Sequence, residues 1–299
     1  MATPDILVWR SLLYVPANNP RFIEKAHTRG ADGIILDLED SVPAAERDAA
    51  RAALPDAVAQ AGQGGADVLV RINSADAEAT QDINAGVIPG VRGVFVTKVR
   101  DPAHLGSVAD RVAAREHEHG MAPGTVRLIP MIETAAAYFQ ALEIAKAEPR
   151  SSAMVLGGED FAMDVGMVPG GDTLAMAKQQ VCYAARAAGL MPLGLMGTVA
   201  DFTDLEGVRE AAERAHRFGM EGASCIHPSN VPILNAAFSP GPDAVDHAER
   251  VVAAYAEATK AGRGAITVDG KMIDVPVVRR AEKLLARWRA IEAREAAKE

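Results

Sequence analysis

The sequence predicts an α/β fold, a (β/α)8 TIM barrel followed by a C-terminal helical lid segment. Three observations predict it. Short apolar runs recur eight times, spaced roughly 25 to 35 residues apart, about one βα unit each. Ala/Glu/Arg segments with helical periodicity fill the intervals. The 299 residues are 49% apolar but hold only 7 Phe, 4 Tyr and 2 Trp. The core must therefore be built from Val, Ile, Leu, Met and Ala, as in parallel strands covered by Ala-rich helices.

The runs are Val8–Val15, Gly33–Leu38, Val68–Ile72, Gly93–Val99, Arg127–Ile132, Ala153–Leu156, Leu190–Met196 and Gly222–Ile226. Each has strand length, and most are rich in Val, Ile or Leu. Helices are expected over Pro20–Arg29, Ala44–Ala61, Pro102–Glu116, Ala135–Ala147, Thr173–Ala188 and Leu205–Phe218. Eight units favour a closed barrel. An open sheet of six or seven strands is the alternative if run six or seven is not a strand. The barrel is expected over residues 1–235 and a C-terminal extension over 236–299. Gly241-Pro242 breaks the chain, and a helical run follows from Ala244 to Ala261. A Gly-rich turn (Gly262, Gly264), a strand-like Ala265–Val268, a turn at Asp269-Gly270 and a last amphipathic helix, Val277–Ala297, complete it. So small a tail cannot hold a core alone and must pack on the barrel, on a neighbouring subunit, or act as a lid.

Forty acidic against 31 basic residues leave a net charge of −9. Phosphate neutralisation needs clustered Lys and Arg, so general nucleic-acid binding is not expected. Cys182 and Cys225 form neither a disulfide framework nor a metal knuckle and read as buried thiols. Met1 to Arg10 lacks a basic region followed by a long apolar stretch, so no signal peptide is expected. The stretch from Arg186 to Asp201 is too short to span a membrane. A soluble, cytoplasmic protein is the expectation.

The strand ends carry the chemistry. Strand one holds Arg10, and strand two ends in Asp37, Glu39 and Asp40. Strand three ends in Arg71 and Asn73, strand four in Lys98 and Arg100, strand five in Glu133, and strand six in Glu159 and Asp160. In this fold those ends form the active-site face. Buried charge is costly unless paired or bound to ligand. A structural ion-pair network accounts for one or two such residues, but poorly for five consecutive strands.

Glu133 and Asp160 end adjacent strands and can share one hard cation. Mg²⁺ takes one or two carboxylates and fills its shell with water and substrate oxygens. No His or Cys pair at ligand spacing suits zinc. The competing reading pairs the two carboxylates with Arg71 or Lys98. Gly157-Gly158 removes side-chain bulk beside Asp160 and lets a ligand approach, or simply makes a tight turn. Arg71 offers a two-pronged donor to a carboxylate or enolate, and Glu39 or Asp37 is its alternative, structural partner. Substrate contacts are expected from Arg10, Arg71, Glu39, Lys98 and Gly158. A Schiff-base role for Lys98 is set aside, because a neighbouring metal already supplies the electrophile. The loop Pro16-Ala-Asn-Asn-Pro20, with Arg21 and Lys25, could meet the phosphates of a ligand or be an ordinary turn and cap. His227 before Pro228 reads as structural.

Seven segments occur in order: Arg10-Ser-Leu-Leu-Tyr-Val-Pro16, Leu36-Asp-Leu-Glu-Asp-Ser-Val42, Val70-Arg-Ile-Asn73, Pro130-Met-Ile-Glu133, Gly157-Gly-Glu-Asp-Phe161, Ile226-His-Pro228 and Gly270-Lys-Met-Ile-Asp-Val-Pro276. Over about 265 residues, this series resembles the citrate lyase beta-subunit family of the aldolase/citrate lyase superfamily, which is related to malyl-CoA and citramalyl-CoA lyases. Met196, and Ala223 after Gly222, stand where such relatives commonly carry an aspartate and often a lysine.

The resemblance implies a Mg²⁺-dependent carbon–carbon lyase. Its metal ligands would be Glu133 and Asp160, and its orienting arginine Arg71. A lid acid, Asp274, would be delivered from a neighbouring subunit of a homotrimer or a multiple of it. The substrate would be a short 3-hydroxyacyl thioester of citryl-, malyl- or citramalyl-CoA type, on CoA or an acyl carrier protein, split to a 2-oxo acid and acetyl-CoA. From the residues alone, Asp274 before Val275-Pro276 reads as a helix N-cap. Two other functions stay open: a metal-dependent 2-oxo-acid aldolase or decarboxylase needing no thioester, and a catalytically silent oxo-acid-binding subunit.

Overall fold

The structure, a computed structural model, describes residues 6–198, 202–260, 262 and 264–298. The chain divides into two compact units, one of Trp9–Phe238 and one of the residues before Trp9 with those from Ser239 onward.

The first unit holds eight strands: β1 Ser11–Pro16, β2 Gly33–Asp37, β3 Asp67–Ile72, β4 Val91–Val96, β5 Arg127–Ile132, β6 Ala153–Leu156, β7 Met191–Leu193 and β8 Ala223–Cys225. Its helices are α1 Pro20–Ala26, α2 Arg47–Ala61, α3 Asp76–Gly86, α4 Pro102–Glu118, α5 Ala135–Tyr138, α6 Ala141–Ala147, α7 Gly158–Val165, α8 Ala175–Ala187, α9 Leu205–Arg217 and α10 Val231–Ala237. The strand order is β7-β6-β5-β4-β3-β2-β1-β8, with every named pair parallel. Between β7 and β8 the barrel closes through the Leu193–Gly222 bridge. Gly194 N–H donates to Gly222 O at 2.9 Å and Glu221 N–H to Pro192 O at 3.0 Å. This is the expected TIM barrel.

Burial on both faces explains why the runs are continuously apolar. Leu13, Val15, Ile34, Leu36, Val68, Val70, Val94 and Val96 pack in the layer shared with the helices. Residues of the opposite parity, Leu12, Ile35, Leu69, Phe95 and Ile129, are equally buried and fill the interior. Gly33 and Gly93 make room there. A Cβ on Gly33 would press on Leu12 and Leu69, and one on Gly93 on Ile129 and Leu69.

Several runs extend past their hydrogen-bonded ladder. β4 stops at Val96, two residues before Lys98, whose φ of 47° cannot continue a strand. β7 is only three residues long because Gly194 follows it with φ 151°. The helix expected over Ala135–Ala147 is broken at Phe139 and Gln140 into α5 and α6.

The second unit contains α11 Pro242–Lys260, a hairpin of β9 Ile266–Val268 and β10 Lys271–Ile273, and α12 Val275–Ala296. The hairpin turns through Asp269 and Gly270, both with positive φ, as a two-residue turn requires. The second hairpin strand was not foreseen from sequence. Val245, Ala248, Val251, Ile273, Val278, Ala281 and Leu285 form this unit's core. Among the described residues no helix is long and apolar enough to cross a membrane.

Candidate active site

The site forms because β2 and β3 end in register. Asp37 closes β2 and pairs with Arg71 of β3. The Arg71 guanidinium grips Asp37 with both prongs, Nε donating to Oδ1 at 2.6 Å and Nη2 to Oδ2 at 2.7 Å. Its Nη1 lies 2.9 Å from Glu39 Oε2 and donates to Asp40 Oδ2 at 3.2 Å. The fork stands over the Tyr14 ring, 4.7 Å from the centroid, in cation–π contact. Arg71 is thus fixed from below and from one side. Behind it, Asn73 ties the chain down, its Nδ2 donating to Leu38 O and to the buried Asp82, which Arg51 also binds.

Burial alone would raise the Asp37 carboxyl. The Arg71 hydrogen bonds and charge, with help from Ser41 and the Glu39 amide, bring it below its ordinary value. Glu39 ends above its ordinary value because burial, reinforced by Asp40, outweighs Arg71 and Lys98. The Tyr14 phenol is raised by burial and stays protonated.

Lys98 links this half of the mouth to the other. Its left-handed backbone, uncommon for a side chain with a Cβ, presents the amide to Glu133 Oε2 at 2.5 Å. Its Nζ donates to Glu39 Oε1 at 3.1 Å and lies 3.5 Å from Asp160 Oδ1. Opposite charges from Glu39, Asp160 and Glu133 overcome the cost of burial and hold its ammonium above the ordinary value.

Glu133 follows β5 and is 3% exposed. Burial, with Asp160 and Glu39 reinforcing and the Lys98 amide and charge opposing, pushes its carboxyl up to about 7. Gly157 lies directly against that carboxylate, where a Cβ would collide with Glu133. Asp160 stands in the first turn of α7, while Glu159 turns to accept from Thr198. Lys178 of α8 holds the loop after β7, its Nζ donating to the Leu195 and Gly197 carbonyls at 2.8 Å and 2.5 Å. Burial brings that ammonium down to about 8.

The donor set suits Mg²⁺. Glu133 is a buried carboxylate raised in part by its neighbour Asp160, and a cation between the two would remove that repulsion. Among the described residues no group of three or more His, Cys, Asp or Glu forms a cage. Two carboxylates would leave the rest of the shell to water and substrate, as Mg²⁺ favours.

Arg71, Glu39, Lys98, Glu133 and Asp160 therefore come together, and one expected substrate contact, Arg10, does not. Arg10 precedes β1, at the amino end of the barrel, and its guanidinium is locked to Asp32 through Nε at 2.8 Å and Nη2 at 2.9 Å. Arg10 was placed at the mouth because its run reads as a strand from Val8. The ladder begins at Ser11, which puts Arg10 at the opposite end. A Cβ added to Gly158 would meet Leu174 and Lys178, and one added to Gly157 would meet the Glu133 carboxylate; Gly158 begins α7, two residues before Asp160.

The Asn-rich loop is likewise committed to structure. Asn19 caps α1, accepting from Phe22 N–H, and Asn18 donates to Glu46 at 2.6 Å. His227 caps a short turn, accepting from Ser229 N–H, and stacks on Phe202. Asp274 lies in the second unit, where its side chain accepts from Val277 N–H at 3.3 Å and caps α12. Tyr14 was missed as a site residue, although it sits in a quoted segment and shares the interior parity of Leu12.

Known proteins are similar to this chain over most of its length. A profile of the HpcH/HpaI aldolase/citrate lyase family matches residues 10–228. The (3S)-malyl-CoA thioesterase of Cereibacter sphaeroides is 37% identical over 288 residues, covering 95% of this chain and 96% of that protein. Citrate lyase subunit beta of Leuconostoc mesenteroides subsp. cremoris is 33% identical over 279 residues, 92% of each chain. The crystal structure of Mycobacterium tuberculosis CitE in complex with magnesium, acetoacetate and coenzyme A superposes with a TM-score of 0.73 at 30% identity, covering 93% of this chain and 97% of that one. A match over most of the barrel, with relatives this similar across nearly the whole length, places the chain in the HpcH/HpaI aldolase/citrate lyase family.

Proposed function

We propose that this protein is a Mg²⁺-dependent lyase acting on a short 3-hydroxyacyl thioester of citryl-, malyl- or citramalyl-CoA type. It would release a 2-oxo acid and acetyl-CoA, or run in reverse. The observation that carries the reading is the buried Glu133 facing Asp160 beside an arginine fork already fixed by Asp37. The M. tuberculosis structure, which holds magnesium, a 3-oxo acid and coenzyme A, supports the same ligand classes.

Glu133 and Asp160 would hold the ion, which supplies Lewis-acid stabilisation of charge growing on the oxo-acid oxygens. Arg71 has one Nη2 hydrogen beyond its contacts to Asp37, Glu39 and Asp40 and would offer it to the substrate. Lys98 screens the two carboxylates and holds the Glu133 oxygen through its amide. As the carbon–carbon bond breaks, its electron pair would go to the thioester α-carbon, and the substrate hydroxyl would release its proton to solvent water as the carbonyl forms, solvent returning a proton to the acid afterwards. Asp274, from the C-terminal unit of a neighbouring copy in a trimer or a multiple of it, would protonate that carbon.

The test is incubation of the purified protein with citryl-, malyl- and citramalyl-CoA and Mg²⁺. Release of a 2-oxo acid with acetyl-CoA supports the reading. Free CoA thiol with intact hydroxy diacid would instead indicate hydrolysis, the activity named for the Cereibacter relative. Turnover confined to free hydroxy-oxo acids would indicate an aldolase.

A further inference from the structure

We propose that Lys178, a buried lysine with no part in the chemistry above, is a positioning residue for the ion site. Its ammonium holds the loop after β7, and that loop, through Thr198 and Glu159, holds the turn that carries Asp160. The inference rests on the reading of Glu133 and Asp160 as Mg²⁺ ligands and goes beyond it by naming what sets their spacing.

Lys178 stands in the first turn of α8 and is 6% exposed. A lysine ordinarily lays its stem along apolar surface and keeps its charge in water. Here the charge stays inside, and its hydrogen-bond partners are two main-chain carbonyls, Leu195 O at 2.8 Å and Gly197 O at 2.5 Å. Burial disfavours the ammonium, and the Glu159 charge offsets only part of that cost. A methionine would fill the same space without the charge, so packing alone does not call for a lysine. The two carbonyls do call for a donor. β7 ends at Leu193 because Gly194 has φ 151°, so Leu195 and Gly197 lie beyond the strand ladder. One ammonium carries three donors and ties both carbonyls at once.

That loop is joined to the helix of Asp160. Thr198, next after Gly197, donates its hydroxyl to Glu159, and Glu159 and Asp160 stand together in the first turn of α7. A Cβ on Gly158 would lie 3.6 Å from Lys178 Cε, so the lysine also rests against the start of that helix. A Cβ on Gly171 would come within 2.9 Å of Met196 O, so the segment before α8 closes on the same loop. On its other side α7 is tied to the chain around Glu133. Asp164, one turn beyond Asp160, accepts from Ala135 N–H at 2.7 Å, and Gly157 N–H donates to Ile132 O at 3.0 Å. The helix of Asp160 is thus fixed toward β5 by Asp164 and toward β7 by Thr198. The second tie is only as firm as the loop that Lys178 holds. Groups of this kind orient metal-binding carboxylates without touching the ion.

The test measures Mg²⁺ affinity by titration calorimetry and amide hydrogen exchange of the metal-free protein. It compares the unmodified chain with Lys178→Met, Lys178→Arg, Thr198→Val and the double variant Lys178→Met, Thr198→Val. Lys178→Met should bind Mg²⁺ about tenfold more weakly, and exchange should quicken both at residues 195–198 and in the first turn of α7. Lys178→Arg keeps the charge and the donors and should recover most of the affinity. Thr198→Val should weaken binding too, and the double variant should be no worse than Lys178→Met, because both changes act through one loop. Faster exchange in the loop with Mg²⁺ affinity intact would make Lys178 a purely structural tie and overturn the inference. So would an arginine no better than methionine, or losses that simply add in the double variant. Where Lys178→Met fails to fold, unchanged Mg²⁺ affinity in Thr198→Val overturns it. Each of these results leaves the ion site itself standing. No Mg²⁺ binding by the unmodified protein would instead overturn the reading of Glu133 and Asp160, and this inference with it.

Discussion

Lys98 donates its backbone amide to Glu133 at 2.5 Å while reaching across the barrel mouth with its side chain. One residue in a left-handed turn thus fixes the carboxylate proposed as metal ligand and supplies positive charge to Glu39 and Asp160. Charge balance and backbone shape are coupled at this point.

Mg²⁺ affinity should depend on pH through Glu133. Its carboxyl is raised to about 7, so below that pH it carries a proton that the ion must displace. Affinity should rise from pH 6 to pH 8, seen by titration calorimetry. The folded carboxyl lies above its unfolded value, so the metal-free fold should lose stability as pH climbs from about 4.5 toward 7. The Tm gain from Mg²⁺ should accordingly grow over the upper part of that range.

Removing Arg71 should damage the fold as well as the site. Arg71→Ala leaves Asp37 and Glu39 buried beside each other without their guanidinium. Breaking such a pair costs about 3–5 kcal/mol, measured by urea denaturation at pH 7. The deficit should shrink at acid pH as the carboxylates take up protons. Arg71→Lys should recover part of the stability but little turnover, because an ammonium cannot reproduce the two-pronged grip on Asp37.

The two adjacent glycines should differ. Gly157→Ala drives a Cβ into the Glu133 carboxylate, so Mg²⁺ binding should weaken along with a stability loss of about 1–3 kcal/mol. Gly158→Ala meets Leu174 Cδ1 at 3.0 Å, a flexible side-chain end, and should leave Mg²⁺ affinity nearly intact. Equal effects on Mg²⁺ binding would contradict this division of roles.

Asp274 separates capping from catalysis. Asparagine caps as well as aspartate, so Asp274→Asn should keep the stability of α12 within about 0.5 kcal/mol. Turnover should fall at least about a hundredfold if the group moves a proton. Asp274→Ala should lose both, the cap being worth about 1 kcal/mol. Unchanged turnover in Asp274→Asn would leave the residue as a helix cap only.

Much of the barrel was legible because each strand is buried on both faces and so reads as an unbroken apolar run. Strand ends were less legible, since they are set by single backbone angles such as those of Lys98 and Gly194. The Arg10 error has that origin: a run of apolar residues shows where a strand lies but not where its ladder begins. Asp37 and Arg71 could be read as possible partners, but only register shows that they face each other. Gly157 and Gly158 are indistinguishable in sequence, and the helix that starts between them decides which one meets Glu133.

The most direct measurement is Mg²⁺ binding and thioester cleavage in the same preparations of unmodified protein, Glu133→Gln, Asp160→Asn and, as a control at the far end of the barrel, Arg10→Lys. The expected result is that both carboxylate variants lose Mg²⁺ affinity and release of 2-oxo acid together, while Arg10→Lys keeps both wherever it folds. EDTA should abolish cleavage by the unmodified protein. Cleavage that survives EDTA, or Mg²⁺ affinity that survives loss of both carboxylates, would contradict a metal-dependent lyase site built on Glu133 and Asp160.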